Sequence, residues 1–259
     1  MTSALLPIYY YPPPVSPSGV GLYTAVNWVQ DGTEPTRFLA SGVQFSPHNV
    51  LLDDQFGVWG EDWCVDPDDI TDFKTGDRFD EFPEFDPITI YGFDMNQCGD
   101  LTDLSRMETL ERASHTLELL EQRASEIYLA GRLVSDSPTP HDVDSLIEAV
   151  SYLEGEIAKQ GVVGYLHAGA QWAAYAAADR LDVRSGRTPL GNFWVFGGGY
   201  VDYLGDTIVA TTQPTGWRGP AVTRDTIKHE YNQYIAIAER SLLIGYEAVI
   251  ASVEISTGS

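Results

Sequence analysis

One unbroken helical pattern, residues 101 to about 133, divides this chain into two halves of unlike character. Its apolar positions are Leu101, Leu104, Met107, Leu110, Ala113, Leu117, Leu120, Ala124 and Ile127. They step by three or four residues, which predicts one continuous buried stripe. Asp100, Thr102 and Asp103 offer N-cap chemistry and acid at the positive end of the helix dipole. Gly131 and the Ser-Pro-Thr-Pro run to Pro140 predict the stop, giving a helix over about 101–131. About thirty residues at a 1.5 Å rise make a rod of roughly 45 Å, well beyond the usual helix of a small domain. A single rod between an extended front and a compact body suits a protein that tiles, not a pocket enzyme.

The front half is rich in Pro, Gly, aromatics and acid. Residues 1–40 read as an extended arm, because Pro7, Pro12, Pro13, Pro14 and Pro17 fix φ and remove donors. Tyr9, Tyr10, Tyr11, Tyr23 and Trp28 make that arm too apolar to hang free. It is either a strand of its own domain or an arm laid on a neighbouring copy. Residues 41–86 carry short strand-like runs broken by Pro47, Asn49, Gly57, Gly60, Pro67, Gly76 and Pro83. They predict a long β-hairpin or loop with an acidic tip around residues 66–78, a length that a compact domain keeps only for a purpose. The β-branched run Pro87-Ile88-Thr89-Ile90-Tyr91, ended by Gly92, predicts a strand.

Behind the rod, the spacing of Val143, Leu146, Ile147, Val150, Leu153 and Ile157 predicts a second amphipathic helix, closed by Gly161. Strands are expected over 162–167, 192–196, 207–212 and 248–255, with an Ala-rich helix over 168–180 and a turn over 214–219. Residues 231–237 fit strand or helix equally. The whole is an α+β pattern.

Composition narrows function. The chain has 259 residues, 43% of them hydrophobic, enough for a real core. Its net charge of −23 excludes a phosphate-tracking nucleic-acid binder and argues against anionic membrane surfaces. Residues 53–103 hold 16 acids against Lys74 and Arg78, a net −14. Such a block reads as a solvated, self-repelling surface, and equally as an acidic wall to which nucleic acid does not stick. Cys64 and Cys98 show no metal or disulfide spacing and read as reduced thiols. No signal peptide is expected from residues 1–7, nor any membrane span.

No catalytic, cofactor-binding or metal-binding residue is assigned, and no cofactor is expected. His48, His115, His141, His167 and His229 lack ligand spacing. His167 ends a strand, where catalytic groups can sit, yet no partnered nucleophile accompanies it. Glycines 197–199 precede neither a convincing helix nor Lys-Ser/Thr, so a turn needing positive φ is the better reading than a phosphate loop. The acids between Asp62 and Asp72 break calcium-loop register at Ile70.

Several stretches taken in order resemble the Hong Kong 97 type major capsid proteins of tailed, actinobacterial bacteriophages. They are Phe85-Asp86-Pro87-Ile88-Thr89-Ile90-Tyr91 leading to Cys98, and the run ASHTLELLEQRASE from Ala113 to Glu126. Further on come Gly164-Tyr165-Leu166-His167-Ala168, then Thr188-Pro189-Leu190-Gly191 with Gly197-Gly198-Gly199-Tyr200, and Ile237-Ala238-Glu239-Arg240. They span about residues 85–255.

The resemblance implies an N-terminal arm (1–40) and an extended β-loop over a neighbouring subunit (41–86). It implies a peripheral domain (87–140 and 246–259, spine helix 101–131) and an α/β axial domain (141–245). It implies a non-enzymatic major capsid protein that self-assembles into pentamers and hexamers of an icosahedral head around double-stranded DNA. Its location would be the virion, after assembly in the host cytoplasm. The implied partners are copies of itself, a portal, decoration proteins, and a separate scaffolding protein, since the chain begins almost at the arm; no membrane is involved. Some relatives cross-link through Lys–Asn bonds, and of Lys74, Lys159 and Lys228 only Lys74 falls in the loop. Two alternatives stand beside this reading. One is an encapsulin-like compartment shell of the same fold. The other is a soluble acidic hydrolase or carbohydrate-binding protein with Trp28, Trp59, Trp63 and the acids of 53–86 around a cleft.

Overall fold

A computed structural model describes residues 12–29, 37–50, 55–77, 82–97, 102–181 and 186–256. Tyr9 to Tyr11, Asp53, Arg78, Cys98 and Leu101 lie outside the described residues. The chain opens with one helical turn, α1 (Leu22–Ala25), then β1 (Asn27–Trp28) and a second turn, α2 (Phe38–Ser41). Strands β2 (Val43–Gln44) and β3 (Glu84–Phe85) pair antiparallel and close the neck of the expected long loop. Next come β4 (Ile88–Gln97) and the long helix α3 (Asp103–Asp136). The rest is β5 (His141–Val143), α4 (Leu146–Gln160), β6 (Tyr165–Gly169), α5 (Trp172–Ala178), β7 (Phe193–Gly197) and β8 (Thr207–Thr211). The last four strands are β9 (Thr215–Arg218), β10 (Val222–Lys228), β11 (Gln233–Gly245) and β12 (Val249–Ile255).

α3 is capped as expected, with the Thr102 hydroxyl accepting from the Ser105 N–H. It does not stop at Gly131, and its 34 residues make a rod of about 51 Å at 1.5 Å each. Leu133 is fully buried two residues further on, and Arg132 pairs with Asp136. Termination falls instead at Ser137, which is extended ahead of Pro138. The buried stripe also differs from the one expected. Leu104, Met107 and Leu120 face outward, while Thr109, Ala113, Leu117, Glu121, Ser125, Glu126, Leu129, Ala130 and Leu133 face in. Two carboxylates thus lie on the buried face, for reasons given below.

α3 lies on one face of a sheet ordered β1-β9-β11-β10, with β4 on the other side of β11. β11 runs antiparallel to the whole of β4. Gly92 of β4 sits where the α3 backbone at Ala113 and Leu117 leaves no room for a Cβ. A second sheet, ordered β5-β12-β8-β6-β7, packs one face on α4 and α5 through Leu166, Ala168, Ile208, Ala210 and Val253. Tyr165, Val195 and Val209 on its other face join the core beneath α3.

The strands therefore sort differently from the sequence grouping. Of the residues 246–259 assigned to the long-helix unit, Tyr246 packs into the core beneath α3, but β12 does not: it lies between β5 and β8 in the second sheet. It is β11, placed by the sequence in the second unit, that spans β4 beneath α3. Tyr234, Ala236 and Ala238 are the buried residues that fit it there. The turn expected over 214–219 is β9, and the ambiguous 231–237 belongs to β11. The Ala-rich helix is confined to α5, and Gly161 is the left-handed cap of α4.

Candidate assembly surfaces

His167, glycines 197–199 and Asp66 each make structural contacts. His167 is fully buried on β6, its Nδ1 3.1 Å from the Tyr200 hydroxyl and its Nε2 2.9 Å from Thr211 Oγ1. Burial pushes its pKa down to about 3, so it is a neutral core residue. Glycines 197–199 do not adopt positive φ, contrary to expectation. At 197 and 199 a Cβ would collide with Glu126 and with the α3 backbone at Arg123 and Ile127, so close approach is the requirement. Asp66 caps a short 3-10 turn, Pro67–Asp69. Among the described residues no group of three or more His, Cys, Asp and Glu could hold a metal ion, and no helix is long and apolar enough to cross a membrane.

Nor do the three tryptophans converge. Trp28 packs edge-on against Tyr23, 5.1 Å between centroids, whereas Trp63 is 86% exposed in the loop. The hollow of about 550 Å³ beside Trp59 is lined by Phe56, Val58, Phe73 and Lys74 and by neither of the others.

The arm is fastened to its own body from residue 20 onward. Leu22 and Val26 are buried, and the Tyr23 hydroxyl lies 2.8 Å from Ser125 Oγ on α3. β1 adds in parallel to β9, with Asn27 N donating to Pro214 O and Val29 N to Gly216 O. Over residues 22–29 the body itself supplies both an apolar seat and a strand edge, so this part of the expected arm shelters on its own subunit and not on a neighbour. The two buried acids of α3 serve this seat. Glu121, 1% exposed, accepts from Arg218 Nε at 3.0 Å and Arg240 Nη1 at 2.7 Å. The Arg218 guanidinium also lies 5.2 Å from the Tyr23 ring centroid. Glu126 accepts from Leu22 N and Gly199 N.

Among its described residues the loop is rooted at its neck. Phe85 packs on Phe45 and Tyr246, and the Glu247 carboxylate accepts from the backbone N–H groups of His48 and Asn49 at 2.8 Å. Beyond that its bonds turn back on themselves. Trp59 Nε1 donates to Asp72 O at 2.7 Å, and Glu61 accepts from Thr71 N, Thr71 Oγ1 and Asp72 N. Those bonds, Thr71's foremost, hold the Glu61 carboxyl below the usual carboxylate range. Lys74 stacks over Trp59 at 4.4 Å. Val58 (96% exposed), Phe56, Trp63 and Phe73 all face solvent.

A matching surface lies on the sheet face opposite α3. Tyr91 (66% exposed), Phe93 and Met95 of β4 project there, since Ile90 and Gly92 point inward. In register beside them are Ile235, Ile237 and Glu239 of β11, then Val222, Arg224, Thr226 and Lys228 of β10. Arg224 pairs with Glu239 at 3.0 Å. This face carries two cations against one anion, while residues 55–77 carry seven acids against Lys74. Aromatic, acid-poor surface of this kind marks interaction sites.

No family model matches the chain, and no curated protein matches it in sequence. Solved structures do match in fold. One from Mycobacterium phage Che8 is 12% identical, with a TM-score of 0.54 over 99% of this chain and 98% of that one. The capsid of a native GTA particle is 8% identical, at 0.56 over 99% and 96%. The virus-like particle from Pyrococcus furiosus is 10% identical, at 0.50, but over only 71% of this chain and 82% of that one. The chain thus has the α+β fold of phage capsid subunits, of the Hong Kong 97 type.

Proposed function

We propose that this chain is the major capsid protein of a tailed phage, self-assembling into pentamers and hexamers of an icosahedral head around double-stranded DNA. The observation that carries this reading is a fold shared over nearly the whole chain with phage capsid subunits, in a chain whose described loop residues Phe56, Val58, Trp63 and Phe73 stay exposed. The α3 unit corresponds to the peripheral domain and the β5–β8 and β12 unit to the axial domain. The loop of one copy lies on the outer sheet face of the next. There Phe56, Val58, Trp63 and Phe73 meet Tyr91, Phe93 and Met95, and the loop's acids meet Arg224 and Lys228. Apolar contact supplies the affinity and opposite charge the orientation.

The work is done by interfaces and not by catalysis. A net charge of −23 leaves packaged DNA unbound by the wall that encloses it. The protein acts in the virion after assembly in the host cytoplasm, with a scaffold, a portal and decoration proteins as further partners. The experiment is negative-stain microscopy and sizing of the expressed chain, alone and with its scaffold. Polyhedral shells support the reading, and shells filled with a cargo enzyme would favour the compartment alternative. A protein that stays monomeric under all these conditions would overturn it.

A further inference from the structure

Glu126 stands where three stretches of chain meet, and two of them meet it through residues without a Cβ. Its Oε1 accepts from Leu22 N at 3.1 Å, at the first residue of α1. Its Oε2 accepts from Gly199 N at 2.8 Å, in the loop that leaves β7. One turn earlier on α3, Gln122 Nε2 donates to Val20 O at 2.7 Å. A Cβ on Gly21 would meet Gln122 and Glu126, and one on Gly199 would meet the backbone of α3; Gly198, between two crowded glycines, faces open space. The carboxyl is buried. The arm, whose α1 also lies directly beside β7, is thereby joined to the second sheet through a side chain that neither owns.

We propose that Glu126 couples the two: docking of residues 20–26 and seating of glycines 197–199 are halves of one equilibrium, each strengthened by the other. If the arm lifts, the carboxylate is opened to water and turns outward, leaving the Gly199 N–H without its acceptor. If the glycine loop lifts, the same happens to Leu22. A buried donor stripped of its acceptor costs more than the bond it made, so each loss promotes the other. Such coupling is reciprocal by thermodynamic necessity. It makes the arm's position legible to the unit that follows β7. This inference concerns one subunit and does not rest on the shell reading.

The test is amide hydrogen exchange on the full chain, read at residues 20–26 and 197–200, with β8 and β12 amides as the control for global folding. Gly199→Ala sets its new Cβ against α3, with Arg123, Glu126 and Ile127 and no arm residue nearest to it, yet it should speed exchange in the arm about tenfold, while Gly198→Ala stays within about twofold of the parent at both places. Leu22→Ala, which trims the arm's buried anchor in the core beneath α3 and leaves the glycine loop unaltered, should speed exchange at Gly199 comparably. In a Glu126→Gln background the added effect of Gly199→Ala on the arm should fall to about twofold or less. An unchanged arm in Gly199→Ala overturns the proposal, as does an equal effect from Gly198→Ala or an undiminished effect in Glu126→Gln. Should these variants fail to fold, the unaltered chain decides. Under rising sub-denaturing urea the Leu22 and Gly199 amides must open together, and separate openings overturn the coupling.

Discussion

Residues 22–29 and residues 55–77 read alike in sequence, both irregular and both studded with aromatics, and they come to opposite ends. The first segment gives its backbone to the body: Asn27 and Val29 donate to β9, and Leu22 vanishes into the core beneath α3. The second turns its donors on itself, the backbone N–H of Val65 to Asp62 O, that of Asp69 to Asp66 O and that of Thr71 to the Glu61 carboxylate, and leaves Val58 and Trp63 in water. Aromatic content therefore does not say whether a segment shelters on its own chain or on another. The destination of its backbone donors does.

The largest way to break this contrast is through the acid beneath the arm. Glu121→Ala strands Arg218 and Arg240 without their shared carboxylate, which should cost about 3–5 kcal/mol of unfolding free energy in urea denaturation. The arm should loosen with it, because Arg218 also faces Tyr23. Leu22→Ala should cost about 3 kcal/mol, as truncation of a fully buried leucine does. A loss under about 0.5 kcal/mol, the range of ordinary surface changes, would mean that the arm is not part of the folded body.

What the sequence made legible follows the same division. The long helix, a strand beginning at Ile88 and the Gly161 cap rest on local signals and appear. The strand does not end at Gly92 as expected but runs on to Gln97, and Gly92 serves close packing against α3. The polar stretch of the α3 stripe was hidden, because Glu121 and Glu126 face inward only on account of Arg218, Arg240, Leu22 and Gly199, which lie 73 to 119 residues away. Strand β10 was missed because its Thr-Arg-Asp-Thr core is exposed and shows no apolar alternation. Sheet membership of β11 and β12 depends on pairing partners that no local pattern names. The outer face had a faint signal in Tyr91, Phe93 and Met95, alternating beside a glycine, which marks a strand but not what covers it.

Acid should separate the two regions. His167 is neutral in the fold with its pKa near 3 and binds a proton once unfolded. Falling pH therefore draws the chain toward the unfolded state, beginning near the ordinary histidine value of about 6.5, at about 1.4 kcal/mol per pH unit. His167→Gln should flatten that slope in urea midpoints measured from pH 7 to 5; an unchanged slope would assign it elsewhere. The Glu61 turn behaves otherwise. Its carboxyl is held below the usual range, so the turn keeps its bonds through the ordinary carboxylate pKa and loses them only in stronger acid. Side-chain NMR of Glu61 and Thr71 should show the turn intact at pH 5, where the body has already weakened.

The smallest effect on folding is the most telling. Trp63→Ser removes the loop's largest exposed aromatic, and because that ring is 86% exposed, unfolding free energy should stay within about 0.5 kcal/mol of the parent. An aromatic anchor buried between copies is worth about 2 kcal/mol or more, so the concentration needed for assembly should rise about thirtyfold. Phe93→Ser on the outer sheet face should act the same way, and the double variant should lose little more than either single change if the two side chains meet across copies. Additive losses would place them in separate contacts. A Trp63→Ser chain that assembled as readily as its parent would leave the exposed loop without a seat, and the opposition between arm and loop would then have to be explained by solvation alone.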